Sequence, residues 1–348
     1  MNDDKLLLKK DYLTAFLRQL NKDYRLIVPQ KNRHGDTLFS PAVDIDSLRL
    51  DLANQPQNSI KQFMLPQREV LFTYESGSGG DYRFHAAGSP DEPTIYFGVR
   101  PCDLSALLYM DVIFLHDAAD PHYLQKREHS VIIGLNCKQP FEKCFCNATG
   151  NGPFLEFGAD LQFTDLGDCF LVEPGRAKGE EIIRKWPQFF SPAADEDINR
   201  QYQSFLEAKD GFSRLVHVDQ AVKRLRDGEV AEAVWQDLSL RCQDCGGCAY
   251  VCPTCTCFTI SDYPLNDSEG ERVRTWDACT FAGFTALAGG HNPVNHKQAA
   301  IRQRFMHKLK FDVEKHGRPS CVGCGRCVDI CFGGTDIVRF INKACEGI

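Results

Sequence analysis

The chain has 348 residues, of which 43% are hydrophobic, and a formal net charge of -7. This composition allows a globular core, whereas the acidic balance argues against nucleic-acid binding and gives no sign of a membrane-surface protein. No stretch approaches the roughly 18 apolar residues of a membrane span, and the first five residues, Met1 to Lys5, do not fit a secretory signal. We therefore expect a cytoplasmic protein.

The first half of the chain predicts alternating strands and helices. The predicted elements are a helix over residues 11–20, strands Arg25–Val28, Val70–Tyr74, Thr94–Val99 and Ser130–Leu135, and a helix from Leu104 to about Phe114. Pro29 is expected to end the first strand, and Asp103 is a predicted N-cap. The strands at 94–99 and 130–135, joined by a helix, indicate a βαβ unit with parallel strands.

The second half predicts helices over residues 200–240 and then a cysteine-rich module from about residue 238 to 345. We therefore predict an α+β protein with two domains. Residues 1–220 form a mixed α/β domain, and residues 221–348 form an α-helical ferredoxin domain that holds two cubane clusters.

The cysteine-rich module contains two quartets with the spacing C-x2-C-x2-C-x3-C, which is typical of proteins with two [4Fe–4S] clusters. They are Cys242, Cys245, Cys248 and Cys252, followed by Cys321, Cys324, Cys327 and Cys331. Clustered cysteines in a large chain without a secretory signal favour metal ligation over disulfides. Two structural zinc sites are the alternative, but zinc ligands usually come as CxxC pairs.

In such quartets the fourth cysteine usually binds the other cluster. We therefore predict a first set of ligands, Cys242, Cys245, Cys248 and Cys331, and a second set, Cys321, Cys324, Cys327 and Cys252. The long segment between the quartets carries an apolar stripe with a basic flank at Arg302, Arg304, Lys308 and Lys310. Two interpretations of that flank remain open, a solvated helix face and a docking face for an acidic partner.

Four dispersed cysteines, Cys102, Cys137, Cys144 and Cys146, predict a third [4Fe–4S] cluster and are here called the third set. Cys102 and Cys137 each follow a predicted parallel strand, and open α/β sheets bind ligands at that edge. Four buried free thiols are the alternative. Three further cysteines, Cys255, Cys257 and Cys279, are predicted core thiols, with a role beside or among the ligands left open.

Motifs for other cofactors and chemistries are missing from the sequence. No dinucleotide-binding fingerprint, P-loop, HExxH or nucleophile elbow is present, so we expect no NAD or FAD on this chain. The economical interpretation is a relay that takes no part in the chemical step, whose clusters pass electrons to partner subunits. The alternative function is a self-sufficient reductase with the third cluster as its catalytic site.

Several longer motifs point to one protein family. They are Phe97-Gly98-Val99-Arg100-Pro101-Cys102-Asp103, Asn136-Cys137, Cys144-Phe145-Cys146, Gly150-Asn151-Gly152-Pro153, Cys252-Pro253-Thr254-Cys255, Arg274-Thr275-Trp276-Asp277-Ala278-Cys279 and Ala288-Gly289-Gly290-His291. Over roughly residues 90–345 the chain resembles the iron–sulfur β subunit of soluble nickel–iron hydrogenases (sulfhydrogenases). It equally resembles the iron–sulfur subunit of anaerobic sulfite reductase.

This resemblance implies an electron-transfer subunit of an anaerobic, hetero-oligomeric oxidoreductase. Its partners would be a subunit that binds flavin and NAD(P), together with a catalytic redox subunit of the hydrogenase, sulfite reductase or heterodisulfide reductase type. The resemblance also supports all three cluster sites. The stretch Cys255-Thr256-Cys257 looks more like the sulfite reductase branch, whereas Phe97 to Asp103 looks more like the hydrogenase branch.

Overall fold

The computed structural model describes residues 5–77, 80–87 and 92–346; residues 1–4 of the N-terminal segment discussed above lie outside these ranges. The protein has the predicted α+β class. The described strands are β1 Leu6–Lys9, β2 Arg25–Lys31, β3 Thr37–Pro41, β4 Arg68–Ser76, β5 Tyr82–Ala86, β6 Thr94–Val99, β7 Ser130–Leu135, β8 Leu161–Asp165, β9 Cys169–Pro174, β10 Ser191–Pro192, β11 Phe258–Pro264 and β12 Glu269–Trp276.

The C-terminal part has the higher helical content. The described helices are α1 Lys10–Asp23, α2 Lys61–Met64, α3 Pro101–Leu115, α4 Pro121–Glu128, α5 Ala177–Lys185, α6 Asp195–Asp210, α7 Val218–Asp227, α8 Glu232–Arg241, α9 Gly247–Tyr250, α10 Lys297–Met306, α11 Asp312–His316, α12 Arg326–Asp329 and α13 Ile337–Glu346. A π-helical turn, His307–Phe311, joins α10 to α11. Short 3-10 turns lie at Cys146–Thr149 and Pro187–Phe189.

The larger sheet has the strand order β10-β1-β9-β8-β7-β6-β2-β3. Its central strands β2, β6, β7 and β8 are parallel, and every residue of β6 and β7 is buried. Strands covered on both faces tend to be continuously apolar, as Thr94–Val99 and Ser130–Leu135 nearly are. The predicted βαβ unit is therefore confirmed, with Thr94 opposite Ser130.

Two local predictions were wrong. Strand β2 continues through Pro29 to Lys31. Proline has no backbone N–H to donate, but β6 pairs only with Arg25 to Ile27, so no hydrogen bond to β6 is lost at Pro29. Helix α3 begins at Pro101, so Asp103 lies inside its first turn and is not the N-cap. Its carboxylate instead binds Arg326.

The smaller sheet has the order β11-β12-β4-β5. Its β11–β12 hairpin lies between the two quartets and was not predicted from the sequence. Strand β12 pairs with β4, far away in the chain, and the buried Arg274 guanidinium donates to Glu69 on β4, 3.2 Å from its Nε. This sheet therefore joins residues on both sides of position 220, and the domain division there stays a prediction.

Helices α6, α7 and α8 confirm the predicted helical region, and α7, α8, α10 and α13 pack around a separate apolar core. At its centre the Phe340 ring stacks on Phe305, with centroids 4.5 Å apart, and on Trp235 at 4.9 Å. Offset aromatic stacking of this kind adds to the free energy gained by apolar burial. The core supports both quartets, because Cys321 and Cys327 of the second are among its members and Cys242 and Cys248 of the first pack against it.

The aromatic stack leads to a stability prediction. Phe340→Ala should lower the free energy of unfolding by about 3–5 kcal/mol, since it leaves a cavity in a fully buried core. Denaturant unfolding of the anaerobic protein measures the loss. Phe332→Ala is the control, because that ring is 87% exposed and its removal should change stability by less than about 0.5 kcal/mol. Equal losses for the two variants would contradict the assignment of this core.

Candidate iron–sulfur sites

The four thiols of the first set line one cavity. Cys242 follows α8, Cys248 lies in α9, and Cys331 follows α12. These three and Cys245 border the same space, although Cys331 is distant in sequence from the other three. Cys245 is exposed and the others are partly buried. The cavity thus brings together the four residues predicted from the exchange of the fourth cysteine between the quartets.

The second set also meets in space. Cys252 interacts electrostatically with Cys321, Cys324 and Cys327, and all four side chains are buried. Burial raises the pKa of Cys324 to about 12. A metal bound at this site would therefore have to drive deprotonation of this thiol, since cluster ligands are thiolates.

The third set is assembled by the carboxyl edge of the large sheet and the loop after β7. Cys146 interacts with Cys102, Cys137 and Cys144, and none of the four side chains is more than 7% exposed. Burial raises the pKa of Cys137 to about 11. The structure therefore gathers the four dispersed cysteines that the sequence could relate only through their strand ends.

The second and third sets lie against each other. Cys324 and Cys102 belong to one small apolar cluster together with Ala106, Cys146 and Val322. The backbone amide of Phe145 donates to the carbonyl of Gly323 over 2.7 Å. This contact needs glycine, because a Cβ at Gly323 would lie 2.6 Å from the Cα of Cys146 and the residue has a φ of +65°.

A buried ion pair stands at the same junction. The Arg326 guanidinium donates two hydrogen bonds of 2.7 Å to the carboxylate of Asp103, and its Nε donates to the carbonyl of Pro56 over 2.9 Å. The side chains of both partners are almost inaccessible to solvent. Because Asp103 is adjacent to Cys102 and Arg326 is next but one to Cys324, the pair ties the two thiol sets together.

The basic flank of the segment between the quartets is not a single exposed face. Arg302 and Lys310 are partly exposed, but Arg304 and Lys308 are only 3% and 4% exposed. The π-helical turn at His307–Phe311 contains Lys308, whose ammonium group donates to the Thr254 hydroxyl over 3.0 Å. Both interpretations of the flank, a solvated face and a docking face, are therefore wrong for Arg304 and Lys308.

These two cations are surrounded by thiols instead. Burial alone would lower the pKa of Arg304, but the nearby Cys248 and Cys327 raise it well above its ordinary value. Cys252 does the same for Lys308, against the same effect of burial. In return, a hydrogen bond from the Cys255 thiol, assisted by the Lys308 charge, lowers the pKa of Cys252 well below its ordinary range.

Unpartnered donors test whether a cluster would fit. Arg304 and Thr280 both line the cavity of the first set. The Nε and Nη2 atoms of Arg304 and the hydroxyl of Thr280 are buried without a hydrogen-bond partner. Buried donors rarely remain unpaired, and the sulfur atoms of an iron–sulfur cluster accept hydrogen bonds. The residues around the first set therefore fit a [4Fe–4S] cluster.

The spacing of the thiols also bears on the zinc alternative. Within the described ranges, no three His, Cys, Asp or Glu side chains are close enough together to hold a single metal ion. A cubane binds each thiolate to a different iron, so its ligands stand farther apart than the four ligands of one zinc ion. The observed sets are compatible with the wider arrangement.

Cys255, Cys257 and Cys279 lie beside the second set. The Cys255 thiol contacts Cys252, and the Cys279 thiol hydrogen-bonds Cys257. Lys61, which was not predicted to take part, is buried under this region and donates to the carbonyl of Cys255 over 3.1 Å. Sequence reasoning missed Lys61, Arg304 and Lys308 as site residues, since a cationic residue in a helical pattern is usually solvated.

Comparisons with known proteins agree with this geometry. Residues 241–335 match the family described as a 4Fe-4S dicluster domain. The whole chain is similar to Sulfhydrogenase 2 subunit beta from Pyrococcus furiosus, with 29% identity over 346 residues, which cover 98% of each protein. The resemblance to the iron–sulfur β subunits of sulfhydrogenases is thereby confirmed, and two [4Fe–4S] clusters are supported for the C-terminal region.

The length and composition of the helices also bear on whether the chain could span a membrane. In residues 5–77, 80–87 and 92–346, no helix has both the length and the apolar character needed to cross a bilayer.

The close contact at Gly323 gives a second prediction. Gly323→Ala should prevent assembly at the second and third sets, because the added Cβ would separate the two loops and the left-handed backbone itself costs about 1–2 kcal/mol. Iron content after anaerobic reconstitution should fall by at least half. Gly289→Ala is the matched control, since its φ is +87° but nothing lies within 4 Å of the added Cβ. Full iron content in Gly323→Ala would contradict the contact.

Proposed function

We propose that this chain is the iron–sulfur electron-transfer subunit of a multisubunit oxidoreductase of the hydrogenase type. It would carry electrons between a flavoprotein partner that binds NAD(P) and a catalytic redox subunit. The first and second sets would each hold one [4Fe–4S] cluster, and the third set would hold another. When bound, such a cluster accepts and releases single electrons.

The observation that carries the proposal is the continuity of the three thiol sets. Arg304 lies beside Cys248 of the first set and Cys327 of the second, and Cys324 of the second set shares an apolar cluster with Cys102 of the third. Each set is therefore next to another, as a relay requires. The residues between them are buried, which excludes water from the path.

The surface beside the first set supports a redox partner at that end. Cys245 is exposed, and Phe332, which lines the same cavity, is 87% exposed. Ile330 lines the cavity and is also exposed. Leu240, in the last turn of α8, is exposed as well. An exposed apolar patch at an electron-transfer site fits a protein partner, and we assign this face to the flavoprotein partner.

The alternative, a self-sufficient reductase with a catalytic third cluster, has less support. A catalytic cluster needs an iron position that substrate can reach. Cys102, Cys137, Cys144 and Cys146 are all buried, and four thiol ligands would leave no iron of a cubane open. This arrangement favours electron transfer over substrate binding at the third set.

Iron content and spectroscopy test the three-cluster assignment. Anaerobic reconstitution should give about 12 Fe per chain, as expected for three clusters of four irons. Cys102→Ser combined with Cys137→Ser should lower this to about 8 and remove one EPR signal. Cys169→Ser is the control, because that thiol lies outside all three sets. A value of about 8 in the unmodified chain would contradict the third cluster, and zinc in place of iron would contradict all three.

Electron transfer tests the function itself. The isolated chain should be reduced by dithionite but not by NADH or NADPH, and addition of the flavoprotein partner should restore reduction by the nucleotide. Phe332→Asp should slow that step with unchanged iron content, since it places a charge on the apolar patch. Turnover of NAD(P)H or sulfite by the chain alone would overturn the relay in favour of the reductase.

A further inference from the structure

We propose that Arg304 sets the reduction potentials of the first and second clusters. Its positive charge, buried between two thiol sets and matched by no carboxylate among the residues that the structure describes, makes both clusters easier to reduce. This inference rests on the cluster sites proposed above but not on the identity of any partner protein.

The position of Arg304 is the first step of the argument. The residue lies in α10 and lines the cavity of the first set. The ionisable groups that interact with it are Cys248 of the first set, Cys327 and Cys252 of the second set, and Cys255. The guanidinium therefore faces both sets at once and is only 3% exposed to solvent.

The lack of a compensating carboxylate is the second step. Among the described residues, no aspartate or glutamate lies within ion-pair distance of Arg304, and its Nε and Nη2 atoms have no hydrogen-bond acceptor. Arg326, the comparable arginine beside the second and third sets, is instead paired with Asp103 at 2.7 Å. The charge of Arg326 is thus neutralised by a carboxylate, whereas the charge of Arg304 is not.

Electrostatics supplies the third step. Reduction adds one negative charge to a cluster, and a fixed cation nearby stabilises the reduced form. The effect is large because buried charges are poorly screened by water and salt. Net charge and hydrogen bonds to the sulfurs are among the factors that set cluster potentials, and Arg304 offers both. An arginine suits this role because its guanidinium stays protonated in proteins.

The fourth step is that the neighbouring Lys308 acts in the same direction. Its ammonium group is buried, donates to Thr254 over 3.0 Å, and has Cys252 as its principal charged neighbour. The Thr254 hydroxyl in turn lies 3.4 Å from the Cys252 sulfur. Lys308 therefore belongs mainly to the second set, whereas Arg304 is shared by both sets and is the residue that couples them.

The test is an EPR-monitored redox titration of the full chain after anaerobic reconstitution, with Arg304→Gln compared with Arg304→Lys. In Arg304→Gln the ratio of reduced to oxidised cluster at a fixed potential should fall at least tenfold for the first and second clusters. For a one-electron couple this fall corresponds to a reduction potential lowered by about 59 mV. The third cluster should change less than threefold. Arg304→Lys retains the charge and should stay within threefold of the unmodified chain at all three clusters.

A second variant cancels the charge without removing the arginine. Thr280 lines the same cavity as Arg304, so Thr280→Asp should pair with the guanidinium and lower both ratios as Arg304→Gln does. Thr280→Asn is its neutral, equally sized control. Two results would overturn the proposal, each obtained with full iron content. One is that all ratios in Arg304→Gln stay within threefold of those in the unmodified chain. The other is that all ratios in Thr280→Asp stay within threefold of those in Thr280→Asn. Absence of the cluster signals from the unmodified chain would instead overturn the proposed function.

Discussion

Buried cations and cysteine side chains stabilise each other at the centre of this protein. An unpaired charge in a protein interior is strongly unfavourable. Arg304 and Lys308 are nevertheless buried, with thiols as their nearest ionisable neighbours. Each kind of group thus makes the burial of the other tolerable. The helix that runs from α10 through the π turn to α11 delivers both cations to the space between the quartets.

A buried ion pair also helps to join the two halves of the chain. Asp103 belongs to the βαβ unit, and Arg326 belongs to the second quartet. Strand β4 pairs with β12, which lies between the quartets. Gly323 allows the backbone of one half to touch the backbone of the other. Electron transfer depends on the distance between redox centres, and these three contacts join the two halves of the chain that carry the second and third sets.

The sequence predicts the parts of this site that depend on local spacing. The quartets are regular because three thiols in one tight loop must face one cluster, and the βαβ unit is readable because its strands are continuously apolar. The burial of Arg304 and Lys308 could not be predicted, since it depends on thiols that lie far away along the chain. The β11–β12 hairpin was missed for a similar reason: β12 pairs with β4, which lies far away along the chain, and β11 is largely exposed.

The pairing of β4 with β12 has a consequence for biosynthesis. A ribosome releases β4 long before β12, and contacts so distant in sequence form late during folding. The loop that carries Cys146 likewise lacks its contact with Gly323 until that residue has been synthesised. The N-terminal half of the nascent chain must therefore wait with one edge of β4 unpaired and with unprotected thiols. Delivery of iron and sulfide would then follow completion of the polypeptide, and oxygen would be most harmful to the protein during that interval.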